Sequence, residues 1–154
     1  MNRRKFLTMS VITALALPMG AWATDYRTTN PDTWTAHTVD DAVKALYGEV
    51  TFIDNADIKL KLPKIASNGG AVPVAISSNI EAKSVSLFQN SNPESAVAVW
   101  TVPEGGIIDY ASKIKLKGGA DKSSVLTVIL EGQDGKFYRV SKRVEVATTS
   151  CEGS

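Results

Sequence analysis

A change of hydrophobic period at Val50 narrows the fold more than any other feature of this sequence. Beyond it, apolar residues recur at every second position in short runs separated by turn residues, the pattern of half-buried strands. Ile58-Lys59-Leu60-Lys61-Leu62 alternates until Pro63 stops it. Val72, Val74 and Ile76 continue the pattern, and Pro73 within that run predicts an edge strand or a bulge. Val85 and Leu87 mark a third strand, Ala96 to Val102 a fourth, and Ile114 with Leu116 a fifth. Ser124 to Glu131 is almost continuously apolar, which predicts a strand covered on both faces. Asp134-Gly135 is a hairpin signal leading into Phe137–Ala147, where Tyr138, Val140, Val144 and Val146 would point inward. Six or seven short strands spaced in this way predict an all-β fold, an antiparallel β-sandwich of immunoglobulin-like type.

Before Val50 the period is 3.6. Val39, Val43, Leu46 and Tyr47 share one helical face, and Gly48 supplies a stop. Thr38 is placed to accept the N–H of Asp41, and Asp40 and Asp41 suit the positive end of a helix. One short N-terminal helix is therefore expected. Residues 24–37 are polar and irregular and read as an extended arm. His37 has no second ligand near it in sequence and reads as a surface or capping residue. Trp100, among small apolar neighbours, reads as a core anchor. Lys59, Lys61, Lys113, Lys115 and Lys117 read as a solvated strand face that discourages edge-to-edge association. Gly105-Gly106 and Gly118-Gly119 read as ordinary turns.

Residues 1–23 read as an export signal rather than as part of this fold. Arg3, Arg4 and Lys5 form a basic start, Phe6–Leu17 an apolar stretch, and Ala21-Trp22-Ala23 a small-residue cleavage site. Arg3-Arg4 followed by Phe6-Leu7 resembles the twin-arginine motif, although Asn2 stands where Ser or Thr is usual. Twin-arginine and general secretion are both compatible with this leader, and either implies a periplasmic destination. Cleavage after Ala23 leaves 131 of the 154 residues, carrying 14 of the 17 cations and all 16 acids. That near-neutral domain has no basic field for nucleic acid.

The domain is poor in groups that do chemistry. One Cys and one His exclude a self-contained four-ligand zinc site and an intramolecular disulfide. No metal site, cofactor motif, catalytic triad or phosphate loop is recognisable. The single thiol, Cys151, lies in the segment Thr148–Ser154, which has no large apolar side chain to offset the entropy of ordering it. A flexible tail over 148–154 is expected, following a folded domain over 24–147. An exposed thiol there is only a few per cent thiolate at neutral pH, and Glu152 would raise its pKa rather than lower it. Position alone leaves two readings open. One is a carrier thiol activated by partner enzymes. The other is an exported immunoglobulin-like binding or assembly module with an incidental thiol.

The run from Ile58 to Ile76, IKLKLPKIASNGGAVPVAI, resembles the SoxY family of sulfur carriers. In that family a strand ending in Pro precedes an Ile-Ala-Glu-Asn-Gly turn and a Val-Pro-Val strand. The helix ending in Gly, the Asn92-Pro93 turn, Asp134-Gly135-Lys136 and the C-terminal cysteine are similar as well. The resemblance implies a non-enzymatic subunit of the periplasmic thiosulfate-oxidising Sox system, paired with a SoxZ-like subunit in a heterodimer. It implies that Cys151 carries sulfur loaded by a SoxAX cytochrome and processed by a SoxB hydrolase and a sulfane dehydrogenase. No cofactor and no metal are implied for this chain. The arm flanks depart from the family pattern: Ser150, Glu152 and Gly153 surround Cys151 where Gly-Gly-Cys-Gly-Gly is usual. Glycine flanks let an arm thread narrow channels, whereas Glu152 adds bulk and negative charge.

Overall fold

In a computed structural model, residues 23–54, 57–118 and 120–147 are described. The segment expected to be an export signal, all but its last residue Ala23, and the expected arm residues Ser150, Cys151, Glu152 and Gly153 lie outside them.

The chain forms the expected β-sandwich. Nine strands are described: β1 (Phe52–Asp54), β2 (Ile58–Lys61), β3 (Ile65–Ala66), β4 (Val72–Ser78), β5 (Ala82–Gln89), β6 (Ala96–Thr101), β7 (Ile108–Ile114), β8 (Ser123–Gly132) and β9 (Phe137–Val146). The larger sheet has the order β1-β9-β8-β5-β6 with β3 also against β9; the smaller is β2-β4-β7. Between them lies a core that includes Ile76, Val85, Leu87, Leu126, Val128, Leu130 and Val144, all at most 1% exposed. Tyr138 and Val140 pack against that core, as their alternation predicts. Trp100 is half-buried and reaches the core from the edge strand β6, stacked on Tyr110 with ring centroids 5.1 Å apart.

The outer face of the larger sheet is covered too. Helix α2 (Val39–Tyr47) lays Ala42, Val43 and Leu46 on Phe88 and Ile129. Its N-cap is Thr38, whose hydroxyl accepts the N–H of Asp41 at 3.1 Å, and Gly48 ends it with φ 77°. β5 and β8 are therefore buried on both sides, which accounts for the unbroken apolar run in β8. Serines beneath the helix form a polar node. The Tyr47 hydroxyl lies 3.0 Å from Ser84 Oγ and 3.1 Å from Ser86 Oγ, while Ser84 donates to Glu131 at 3.0 Å. Burial pushes the Tyr47 phenol up to about 12, against the opposing effect of the two serine hydrogen bonds.

Four expectations need correction. The sandwich is not wholly antiparallel, because β1 and β3 run parallel to β9. Residues 24–37 are not an extended arm: they form α1 (Tyr26–Thr29) and a 3₁₀ turn (Pro31–Trp34). Trp34 Nε1 donates to the Tyr26 carbonyl at 3.0 Å and Asn30 Nδ2 to that of Ala45 at 3.2 Å, so the segment closes on itself and on α2. Strand β7 begins at Ile108 and ends at Ile114, which leaves Lys115 and Lys117 exposed in the following loop rather than on a strand. Pro73 sits in the middle strand of the smaller sheet, but β2 pairs only as far as Lys61 opposite Ala75. At Pro73 the strand thus has β7 alone as a neighbour, and the missing N–H costs no ladder bond on the β2 side.

Candidate functional site

The described chain leaves the sandwich at Ala147, four residues before Cys151. The peptides there are held on both sides. Glu145 donates its N–H to Lys64 O at 3.1 Å, Val146 to Lys122 O at 2.7 Å, and Ala147 to Ala66 O at 2.9 Å. Val144 is fully buried and Val146 is 2% exposed, so apolar packing reinforces those bonds. The base of the C-terminal segment is a pinned strand end.

Local sequence chemistry builds this seat. After Pro63 the chain makes the short parallel strand β3 against Glu145 and Val146, then turns sharply. Asn68 shapes the turn: its side-chain Oδ1 accepts the N–H of Gly70 at 2.8 Å and its carbonyl that of Ala71 at 3.2 Å. Gly69 passes so close to the Leu116 carbonyl and the Val146 side chain that a Cβ would collide with both. Its own carbonyl accepts the N–H of Leu116 at 2.8 Å. The motif that carries the family resemblance is thus the structure that grips the end of β9.

A hydrogen-bonded loop flanks the seat. Gln89, fully buried, accepts the N–H groups of Ser91 and Asn92 at 2.6 and 2.7 Å. Asn92 bonds the backbone of Lys115 and Lys117 at 2.7 and 2.9 Å. His37 belongs to this support, donating from Nδ1 to Pro93 O at 2.9 Å, a surface role as its sequence context suggests. At the start of β8, Asp121 takes the Ser123 hydroxyl and N–H at 2.8 and 3.1 Å and Arg143 Nη2 at 2.6 Å. Those Ser123 bonds first, and the Arg143 charge after them, hold its carboxyl below the usual value.

Among the described residues no group of three His, Cys, Asp or Glu could hold a metal ion. No described helix is long and apolar enough to cross a membrane. Sequence reasoning singled out Cys151 with Ser150, Glu152 and Gly153, which the structure does not describe. It did not single out Ala66, Gly69, Leu116 and Lys122 as the seat. The glycine of the Asn-Gly turn was the available signal, but its purpose depends on a strand some 77 positions later in the chain, from Gly69 to Val146.

Fold and seat define a class of protein: a small immunoglobulin-like sandwich whose last strand is held on both sides up to Ala147. The model of the sulfur oxidation protein SoxY family matches residues 43–151. The chain belongs to the SoxY family. It is similar to the solved sulfur carrier protein SoxY from Chlorobium limicola f thiosulfatophilum, with 27% identity and a TM-score of 0.63, covering 71% of this chain and 96% of that one. The superoxide reductase (neelaredoxin) from Ignicoccus hospitalis aligns over 58% of this chain and 80% of its own, with 19% identity and a TM-score of 0.50. That likeness is one of fold alone. No curated protein sequence matches this chain at a significant level.

Proposed function

We propose that this chain is the covalent sulfur-carrier subunit of a periplasmic thiosulfate-oxidising Sox system, with Cys151 as the attachment site. The carrying observation is the family match, which runs through the folded body and has Cys151 as its last residue. The seat adds to it, because a base pinned at Glu145, Val146 and Ala147 gives a nearby thiol a defined origin. The solved relative is itself a sulfur carrier protein.

In this reading the body is a handle and partner enzymes do the chemistry. The Cys151 sulfur and the outer sulfur of thiosulfate form an S–S bond. A SoxAX-type cytochrome would take the two electrons released, one at a time, and pass them to its own electron acceptors, while the thiol proton goes to solvent. A SoxB-type hydrolase adds water to the terminal sulfonate, releasing sulfate and a proton and leaving a persulfide on Cys151. A sulfane dehydrogenase would then oxidise that remaining sulfur. A SoxZ-like subunit completes the carrier, and residues 1–23 direct export, by the twin-arginine route or by general secretion. Ser150, Glu152 and Gly153 are the arm flanks that meet each partner.

The test is intact-mass analysis of the exported heterodimer after incubation with thiosulfate and the partner cytochrome. A thiosulfate adduct on wild type and none on Cys151→Ser, with unchanged melting temperature, is expected. Normal thiosulfate turnover by Cys151→Ser would sink the carrier reading and favour a binding module with an incidental thiol.

A further inference from the structure

The two ends of the sandwich carry opposite charge. Around the seat, Lys64, Lys115, Lys117 and Lys122 are all exposed. Each is tied to the strand end through backbone: Lys64 O and Lys122 O accept from Glu145 and Val146, and Lys115 and Lys117 flank Leu116, which bonds Gly69. None of the four has an ion-pair partner among the described residues. The acids at this end are Asp121, which Arg143 already neutralises, Glu145 and Glu94. At the opposite end the turns carry Glu81, Glu104 and Asp134 against Lys136. Strand pairing separates the sets, since Ala82 is paired with Gly132 at one end and Gln89 with Leu126 toward the other.

Chain geometry gives the cationic end a task. Four residues from Ala147 to Cys151 span at most about 13–14 Å. Any protein that takes Cys151 into a recessed active site must therefore touch the surface around Ala147. The four lysines flank that point from two connections, Lys64 between β2 and β3 and Lys115, Lys117 and Lys122 between β7 and β8, a spread that suits an extended surface better than one small anion. We infer that this set of lysines is a docking collar for partner proteins that bear acidic side chains around their active-site entrance. The inference rests on the carrier reading and adds to it the chemistry of the partner's surface. At contact distance the charges lie within a Debye length of ~8–10 Å, and the charge asymmetry of the body turns the arm end toward an acidic entrance during encounter.

The test measures the rate of Cys151 loading in the full exported heterodimer, with thiosulfate and the partner cytochrome, at ionic strengths of about 0.02 and about 0.3 M. Wild type should slow severalfold as salt rises. Lys64→Glu with Lys115→Glu and Lys117→Glu should load roughly tenfold more slowly at low salt and lose most of the salt dependence. Glu81→Lys with Glu104→Lys, at the far end, should load no more slowly than wild type. If the triple variant melts early, the matching Lys→Gln set replaces it, with a smaller loss expected in the same direction. Enzyme-free reaction of Cys151 with tetrathionate should be nearly unchanged by the lysine variants.

A wild-type rate indifferent to salt, or equal losses from both ends, overturns the collar. So does an equal loss in the tetrathionate reaction, which would make the lysines an attractor for small anions. Normal loading together with lost binding to phosphatidylglycerol vesicles overturns it in favour of a membrane surface. Absence of any adduct on wild type at either salt overturns the carrier reading, and the collar with it.

Discussion

Ala147 donates its N–H to the carbonyl of Ala66 at 2.9 Å, so the last described residue of the chain is held by a strand only two residues long. That bond joins two stretches with separate jobs. One leads to the sole thiol; the other is the Ile65–Gly70 turn that supplies the family resemblance. A turn motif far from Ala147 in sequence thus fixes the last described residue of the chain. Its most demanding position is Gly69, wedged between the Leu116 carbonyl and Val146.

Gly69→Val should destabilise the domain by about 1–3 kcal/mol, because the added groups overpack a site closed by backbone on one side. Gly70→Ala is the control, since its Cβ meets only the Asn68 side chain, at 3.0 Å, which can give way. That change should cost less than about 1 kcal/mol. Urea unfolding of both variants measures the difference. Equal midpoints would mean that the close approach at Gly69 is not required.

Adjacent residues of β5 face different layers. Leu87 enters the core between the sheets and Phe88 the cluster under α2, and both are fully buried. Truncation to Ala should cost about 2–5 kcal/mol for Leu87 and about 3–5 kcal/mol for Phe88. Hydrogen exchange separates them. Phe88→Ala should speed exchange of the amides of residues 42–47, whereas Leu87→Ala should speed it mainly in the strands. Identical exchange maps would contradict a separately packed helix.

These two layers mark what the sequence disclosed and what it did not. The helix was legible, since Thr38, Asp41 and Gly48 are local signals and Val43 and Leu46 keep a helical period. β8 was legible because an unbroken apolar run needs cover on both faces. β1 and β3 were not, being three and two residues long and stabilised by parallel pairing with a strand late in the chain. Residues 24–37 look polar, yet Thr33 is fully buried and Trp34 hydrogen-bonds Tyr26, contacts that no periodicity announces. Cys151 stood out as the sole thiol of the chain. Its seat did not, because Gly69, Leu116, Lys122 and Val146 meet only in three dimensions.

Tyr47 makes the fold sensitive to alkali. Its pKa is raised from 10.0 to about 12 by burial, so the folded state keeps a proton that the unfolded chain gives up. The stabilisation linked to this group is complete below pH 10 and is lost as pH rises toward 12. At most it is on the order of 2–3 kcal/mol. Tyr47→Phe should flatten the decline in stability across that interval, at the cost of leaving Ser84 and Ser86 without the phenol at lower pH. Chemical denaturation at a series of alkaline pH values checks this. An unchanged slope in the variant would assign the decline to other groups.

Glu152 follows Cys151 directly in sequence, and two effects expected of its charge can be separated by choice of reagent. A neighbouring anion disfavours the thiolate, so Glu152→Gly should speed reaction of Cys151 with neutral iodoacetamide by less than about twofold near neutral pH. The same anion also repels an incoming anion. Reaction with tetrathionate should therefore gain more, roughly two- to fivefold at low ionic strength, and the excess should vanish as added salt shortens the screening length. Glu152→Gln keeps the side-chain bulk and removes the charge. If it matches Glu152→Gly with tetrathionate but loads more slowly with the partner cytochrome, charge governs encounter with small anions and bulk governs entry into the enzyme. If all three proteins react alike with both reagents, Glu152 has no electrostatic hold on Cys151, and its departure from the glycine-flanked family tail acts only through side-chain bulk or not at all.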